Sequence, residues 1–165
     1  LVGHSLGSLV AVETAKKYSP IVKQLILCSP PFYHPNNDDA LAYEKILRTI
    51  YKTAIKHPSK LISLSPMAVR LGIVNKSLSI TDTNVGAYTA ALAASIINQT
   101  SLHDAANLKA PIRILYGSLD PVVIGKHIDR LSKEHANISA KKLLAGHEIT
   151  GKYTKVVAEE IIRSI

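Results

Sequence analysis

Gly3-His4-Ser5-Leu6-Gly7, followed at once by the apolar run Leu9-Val10-Ala11-Val12, constrains this chain more than any other stretch. A G-x-S-x-G pattern leading into apolar residues reads as a nucleophile elbow, a sharp turn from a strand into a helix. The serine at its apex is held in a strained backbone conformation, so its hydroxyl projects above the sheet. Glycines stand two residues to either side because a β-carbon there is expected to collide with the adjoining strand and helix. An elbow also needs a strand ahead of it, and only Leu1-Val2 precede Gly3. With no Met at position 1, the chain is expected to be the C-terminal part of a longer protein.

Beyond the elbow the pattern alternates around one long interruption. A helix is expected over residues 8–18, stopped by Ser19-Pro20, and a buried strand over 21–28, ended by Ser29-Pro30-Pro31. From 35 to 105 the period becomes helical. Asn36-Asn37-Asp38-Asp39 reads as a turn and N-cap, with negative charge where the helix dipole favours it. Tyr43, Ile46, Leu47, Ile50, Tyr51, Ala54 and Ile55 follow as one apolar stripe. Pro58 opens a second helix to about residue 71, and a third is expected over 84–97. An interruption this long exceeds an ordinary connection of about 4–6 residues and reads as a lid or cap. Alternation then returns, with strands over 112–116, closed by Gly117, and 138–144 and helices over 121–135 and 153–165. The last of these presents Val156, Val157, Ile161 and Ile162 as its apolar face. The fold class is therefore α/β, a mostly parallel sheet with helices on both faces plus an all-helical insertion. Residues 1–34 with 106–165 form the core and 35–105 the cap.

A serine hydroxyl is a poor nucleophile near neutral pH. It needs a base to take its proton, and the base needs an acid to fix its tautomer. Of seven histidines, His147 follows the last strand in Leu144-Ala145-Gly146-His147, and Asp120 follows the strand before it in Gly117-Ser118-Leu119-Asp120. Both loops lie at strand C-terminal ends, where parallel-sheet sites gather their ligands. Asp120 alternatively caps the helix expected at Pro121, a role compatible with catalysis. Asp104, near the end of the helical zone, and Asp129, inside a helix, are weaker candidates. His4 reads as a packing residue that points away from the serine. His127 and His135, eight apart with no third ligand nearby, do not form a metal site. Tyr43, Tyr51, Tyr88 and Met67 read as helix packing before pocket lining.

Composition excludes several classes. The net charge of +8 is spread thinly, its tightest groups being the pairs Lys16-Lys17 and Lys141-Lys142, so no nucleic-acid patch is expected. No run of apolar residues is long enough to span a membrane. The single cysteine, Cys28, sits in the apolar run Leu25-Ile26-Leu27 and is expected to be buried. A lone cysteine fits a reducing compartment, and a cytoplasmic address is expected. A signal segment would lie ahead of residue 1. Neither H-E-x-x-H nor a phosphate-binding glycine loop occurs.

Gly3-His4-Ser5-Leu6-Gly7, Gly117-x-x-Asp120, Gly146-His147, the stretch Leu108-Lys109-Ala110-Pro111 and the helical insertion together make the chain resemble the α/β-hydrolase fold family, over essentially its whole length. The resemblance implies a triad of Ser5, His147 and Asp120, with the Leu6 backbone N–H as one oxyanion donor. It implies no cofactor and no metal, a small-molecule substrate, and a cap that roofs an apolar pocket. A serine at the elbow disfavours the family's dehalogenase and epoxide-hydrolase branches, which use Asp there. A small or medium carboxylic ester is the expected substrate; a carbon–carbon bond or an N-terminal amide is the alternative, since the same triad serves all three. A non-catalytic ligand-binding or scaffold member is the alternative of another class, and a truncated reading frame a third. The family's early strands and the loop that gives its second oxyanion donor have no match in these residues. The 165-residue chain alone is therefore expected to be inactive or poorly folded. The residues leave the oligomeric state open.

Overall fold

Short hydrophobic strands separated by helices can pair only in parallel, each return path being a crossover. The computed structural model describes residues 1–34, 41–70 and 80–164 and has this form. In chain order its elements are β1 (Val2–His4), α1 (Leu6–Lys17), β2 (Leu25–Cys28), α2 (Ala42–Lys56), α3 (Pro58–Arg70), α4 (Val85–Leu92), α5 (Ser101–Asn107), β3 (Ile112–Gly117), α6 (Gly125–Glu134), β4 (Ile138–Leu143) and α7 (Lys152–Arg163). The chain divides into two compact units, Leu1–Phe32 with Ser101–Ile165, and Tyr33–Thr100. Helix α5 thus falls in the first unit.

The first unit is a four-stranded sheet of order β1-β2-β3-β4, parallel throughout. Register places Gly3 opposite Leu27 and Leu27 opposite Ile114 on one face. A β-carbon on Gly3 would stand 2.4 Å from the Gly7 carbonyl oxygen, so this face lies directly against the start of α1. Alternation sends the neighbouring residues to the other face. There Ile26, Cys28 and Leu115 pack on Tyr153 and Val157 of α7. Helices therefore cover both faces, and a fully buried side chain of this size contributes about 1.5–3 kcal/mol.

Several boundaries differ from the sequence expectation for identifiable reasons. Residues 19–21 form a 3-10 turn, so the second strand begins only at Leu25. Helix α6 begins at Gly125, not Pro121, although the Asp120 carboxylate accepts the N–H groups of Val122 and Val123 as a helix cap does. On α7 Val157 is buried and Val156 and Ile161 pack against the core as expected, with Tyr153 and Glu160 also inward, while Ile162 is 72% exposed. Glu160 is drawn inward by Arg113 on β3, at 3.0 Å. A β-carbon on Gly7 would meet nothing, so of the two elbow glycines only Gly3 is demanded by close approach.

The second unit is helical, with no strand among its described residues. Its sequence stripe turns inward only in part: Leu47, Tyr51, Ala54 and Ile55 are half-buried. Tyr43, Ile46 and Ile50 are about half exposed, whereas Glu44 and Arg48 are buried. The buried pair is hydrogen-bonded to backbone groups. The Glu44 carboxylate accepts from the His34 N–H, and the Arg48 guanidinium donates to the carbonyls of His34 and Ile97. Helix α4 runs on into a π-helical turn over Ala93–Ile97. The expected N-cap at residues 36–39 and the end of the second helix near 71 lie outside the described residues.

Gly3→Ala should lower the unfolding free energy by about 1–3 kcal/mol, the usual cost of forcing an extra methyl into a packed contact. Urea denaturation measures it. An unchanged midpoint would mean that α1 can retreat from β1 without loss.

Candidate active site

A residue can be held above a parallel sheet only where a strand ends and the chain turns sharply away. Among the described residues, Ser5 and Ser29 are the non-glycine positions with positive φ, 52° and 49°. Each directly follows a strand. Such a conformation costs of order 1–3 kcal/mol and persists only where its surroundings enforce it. At Ser5 the enforcement is visible. Its N–H donates to the Cys28 carbonyl at 2.9 Å, and its own carbonyl accepts from the Ser8 N–H at 2.9 Å. The buried Ser8 hydroxyl lies 2.9 Å from the Gly3 carbonyl and 3.2 Å from that of Cys28, bracing the turn between two strands.

Asp120 stands in the loop after β3. Its Oδ1 accepts from the Val122 and Val123 N–H groups at 2.9 and 3.3 Å. Its Oδ2 lies 2.8 Å from Nδ1 of His147. The side chains of His147 and Asp120 are 3% and 0% exposed. Burial alone would raise the Asp120 carboxyl. The hydrogen bond and charge of His147, the Val122 N–H and the Ser29 hydroxyl outweigh it and hold the group below its ordinary value. An ionised carboxylate can only accept, so Nδ1 of His147 carries a proton, and in the neutral imidazole Nε2 is then the acceptor. Nε2 lies 2.9 Å from the Ser5 hydroxyl oxygen, which is the donor in that bond. The loop that carries His147 comes close to β3. A β-carbon on Gly117 would stand 2.2 Å from the Ala145 carbonyl oxygen, so only glycine fits there.

Of the three residues singled out in sequence, His147 therefore lies within hydrogen-bonding distance of both Asp120 and Ser5. Leu6 is the first residue of α1, where a helix leaves its N–H groups without internal partners. The weaker carboxylates are engaged elsewhere: Asp104 pairs with Lys16 at 3.1 Å, and Asp129 accepts from the Tyr116 hydroxyl at 2.5 Å. Cys28 is no rival nucleophile, since burial pushes its thiol up to about 11 despite a hydrogen bond with Tyr153. Among the described residues, no group of three or more His, Cys, Asp or Glu side chains could hold a metal ion. No described helix is long and apolar enough to cross a membrane. A cavity of about 360 Å³ opens at the other end of β1, lined by Leu1, Tyr18 and Gln24 among others, and contains none of the three side chains.

Sequence reading missed the roles of three neighbours of the site. Ser8 braces the elbow. Ser29, read only as a strand terminator, donates its N–H to Leu115 and lies 3.2 Å from the Tyr153 hydroxyl, which itself donates to the Leu115 carbonyl at 2.8 Å. His4 does not merely pack, since its Nε2 reaches the His147 carbonyl. The only available signal was adjacency, Ser8 and His4 to the elbow and Ser29 to a strand end.

A family model described as serine aminopeptidase, S33, matches residues 1–149. No curated protein sequence matches the chain significantly. Among solved structures, an esterase from Thermogutta terrifontis is similar at 18% identity and a TM-score of 0.65, covering 99% of this chain and 64% of its own. A carboxylesterase structure from Nitrososphaera gargenis gives 16% and 0.64, over 99% and 64%. An epoxide hydrolase from Bacillus megaterium gives 18% and 0.66, over 99% and 68%. The chain thus spans under two thirds of the length of either esterase, and identities this low speak to the fold alone.

A carbon-13 titration of the Asp120 carboxyl should give a midpoint below 3.8. By linkage, its contribution to stability is fully present above that pH and is lost as the pH falls through the lower folded midpoint. A midpoint above 3.8 would contradict the balance of burial and donors described here.

Proposed function

The chain belongs to the serine aminopeptidase (S33) family and has the α/β-hydrolase fold, and from that premise we propose that it carries the nucleophile, base and acid of a serine hydrolase. The observation that supports this most is the unbroken chain of hydrogen bonds from Asp120 through His147 to Ser5, at 2.8 and 2.9 Å, on a strained elbow. Ser5 Oγ attacks the substrate carbonyl carbon as His147 Nε2 takes its proton. Asp120 keeps the imidazole oriented and stabilises the cation that forms. The Leu6 N–H donates to the oxyanion. Collapse of the tetrahedral intermediate expels the alcohol, which leaves with the proton from Nε2, and Ser5 is acylated. A water molecule then gives its proton to Nε2 and its oxygen to the acyl carbon, and as the acyl–Oγ bond breaks Nε2 returns that proton to Oγ, releasing the acid and restoring Ser5.

The substrate favoured is a carboxylic ester of small or medium size, with the helical unit, residues 33–100, acting as the cap that selects for size. The family's description as an aminopeptidase favours a second reading, hydrolysis of an N-terminal amide by the same steps. Rates on p-nitrophenyl esters against aminoacyl p-nitroanilides distinguish the two.

In the full-length protein, a fluorophosphonate probe should label Ser5. Ser5→Ala should abolish labelling, and His147→Ala should slow it by at least about a thousand-fold. A wild-type protein that takes up no probe would contradict the hydrolase reading and favour a ligand-binding member of the fold.

A further inference from the structure

His4 ends β1, directly before the nucleophile, and the reaction above gives it no proton to move. Its Nε2 lies 2.9 Å from the backbone carbonyl oxygen of His147. The two imidazole rings stand 5.2 Å apart, tilted by 43°. A carbonyl oxygen has no hydrogen, so Nε2 of His4 carries one and donates it. Strand alternation explains the direction. Gly3 faces α1, so His4, in register with Cys28, faces the side on which α7 packs. The loop carrying His147 leads into α7 on that side.

The geometry points to His4 as the positioning residue of the base: it ties the backbone of His147 to the strand that holds the nucleophile. This rests on the triad reading. The direct link between Ser5 and His147 lapses during turnover, because an acylated serine oxygen has no proton to give. Asp120 still holds the ring at Nδ1, but a single hydrogen bond leaves the ring free to pivot about that contact. The His4 link involves no reacting atom and persists through acylation and deacylation. With the carboxylate fixing one ring nitrogen and His4 fixing the residue's carbonyl, Nε2 stays aimed at the place where the attacking water and the leaving oxygen must meet it. Misplacing a reacting group by about 1 Å costs on the order of a hundred-fold in rate.

Two variants of the full-length protein separate a donor from a filler. His4→Phe keeps a flat ring without a hydrogen to donate. His4→Gln keeps an amide N–H that reaches about as far as Nε2. His4→Phe should lower kcat on an ester, and the rate of fluorophosphonate labelling, by about ten- to a hundred-fold, with KM within about two-fold. His4→Gln should recover to within about three-fold of wild type. A second readout does not need turnover: the low-field proton resonance of His147 Nδ1–H should broaden in His4→Phe and stay sharp in His4→Gln. Phe and wild-type proteins with equal rates and equal resonances would overturn the inference. So would equal losses in Phe and Gln, which would indicate packing alone. If the wild type takes up no probe while the resonance still responds to Phe and not to Gln, the hydrolase reading falls and the His4 link stands. If neither the probe nor the resonance responds, both fall.

Discussion

An imidazole can take a proton from a serine at one nitrogen only if its other nitrogen is already occupied, and a buried carboxylate enforces that condition here. Asp120 has no side-chain exposure, a setting that by itself would drive a carboxyl toward the neutral acid. A neutral acid could donate as well as accept and would no longer fix which nitrogen of His147 is bare. The loop after β3 prevents this by turning the Val122 and Val123 N–H groups onto Oδ1 while Oδ2 faces His147. Together with the hydrogen bond and charge of His147, the Val122 N–H holds the carboxyl below its ordinary value.

The sheet supplies the remaining order through a repeated step. The residue just past a strand donates its N–H to the neighbouring strand: Ser5 to Cys28, Ser29 to Leu115, Ser118 to Leu143. Each step carries the chain off the sheet at a defined place, and two of the three use a left-handed serine to do it. The backbone of this rim is thus tied strand to strand before any side chain takes part. Gly117 lets the last two loops approach closely enough for Asp120 to reach His147. The cost of the strained positions is met by burial behind them, where Cys28, Leu115 and Tyr153 close the core.

Much of this was legible in the chain itself. G-x-S-x-G before an apolar run has few physical uses other than a strand-to-helix elbow, and Asp120 and His147 stand out because each follows a strand ended by glycine or near one. What periodicity could not reveal was any position where a backbone group claimed a side chain. Pro121 looked like a helix start, but the helix begins only at Gly125. The stripe of α2 holds at Leu47, Tyr51, Ala54 and Ile55, but Tyr43, Ile46 and Ile50 are exposed while Glu44 and Arg48 are buried, hydrogen-bonded to backbone groups of His34 and Ile97. Ile162 matched the apolar face of α7, but an ion pair with Arg113 turned Glu160 inward instead. Ser29 and His4 act through contacts to residues more than a hundred positions away, which no local pattern encodes.

The central claim is that Ser5 and His147 work as one unit, so the most direct measurement is the kcat/KM of Ser5→Ala, His147→Ala and the double variant in the full-length protein. Residues that share one proton transfer are strongly non-additive. The double variant should lose no more than about three-fold beyond the worse single variant. Losses that multiply, so that the double variant falls by the product of the two singles, would mean that the two side chains act separately and that their 2.9 Å contact is not the path of the proton.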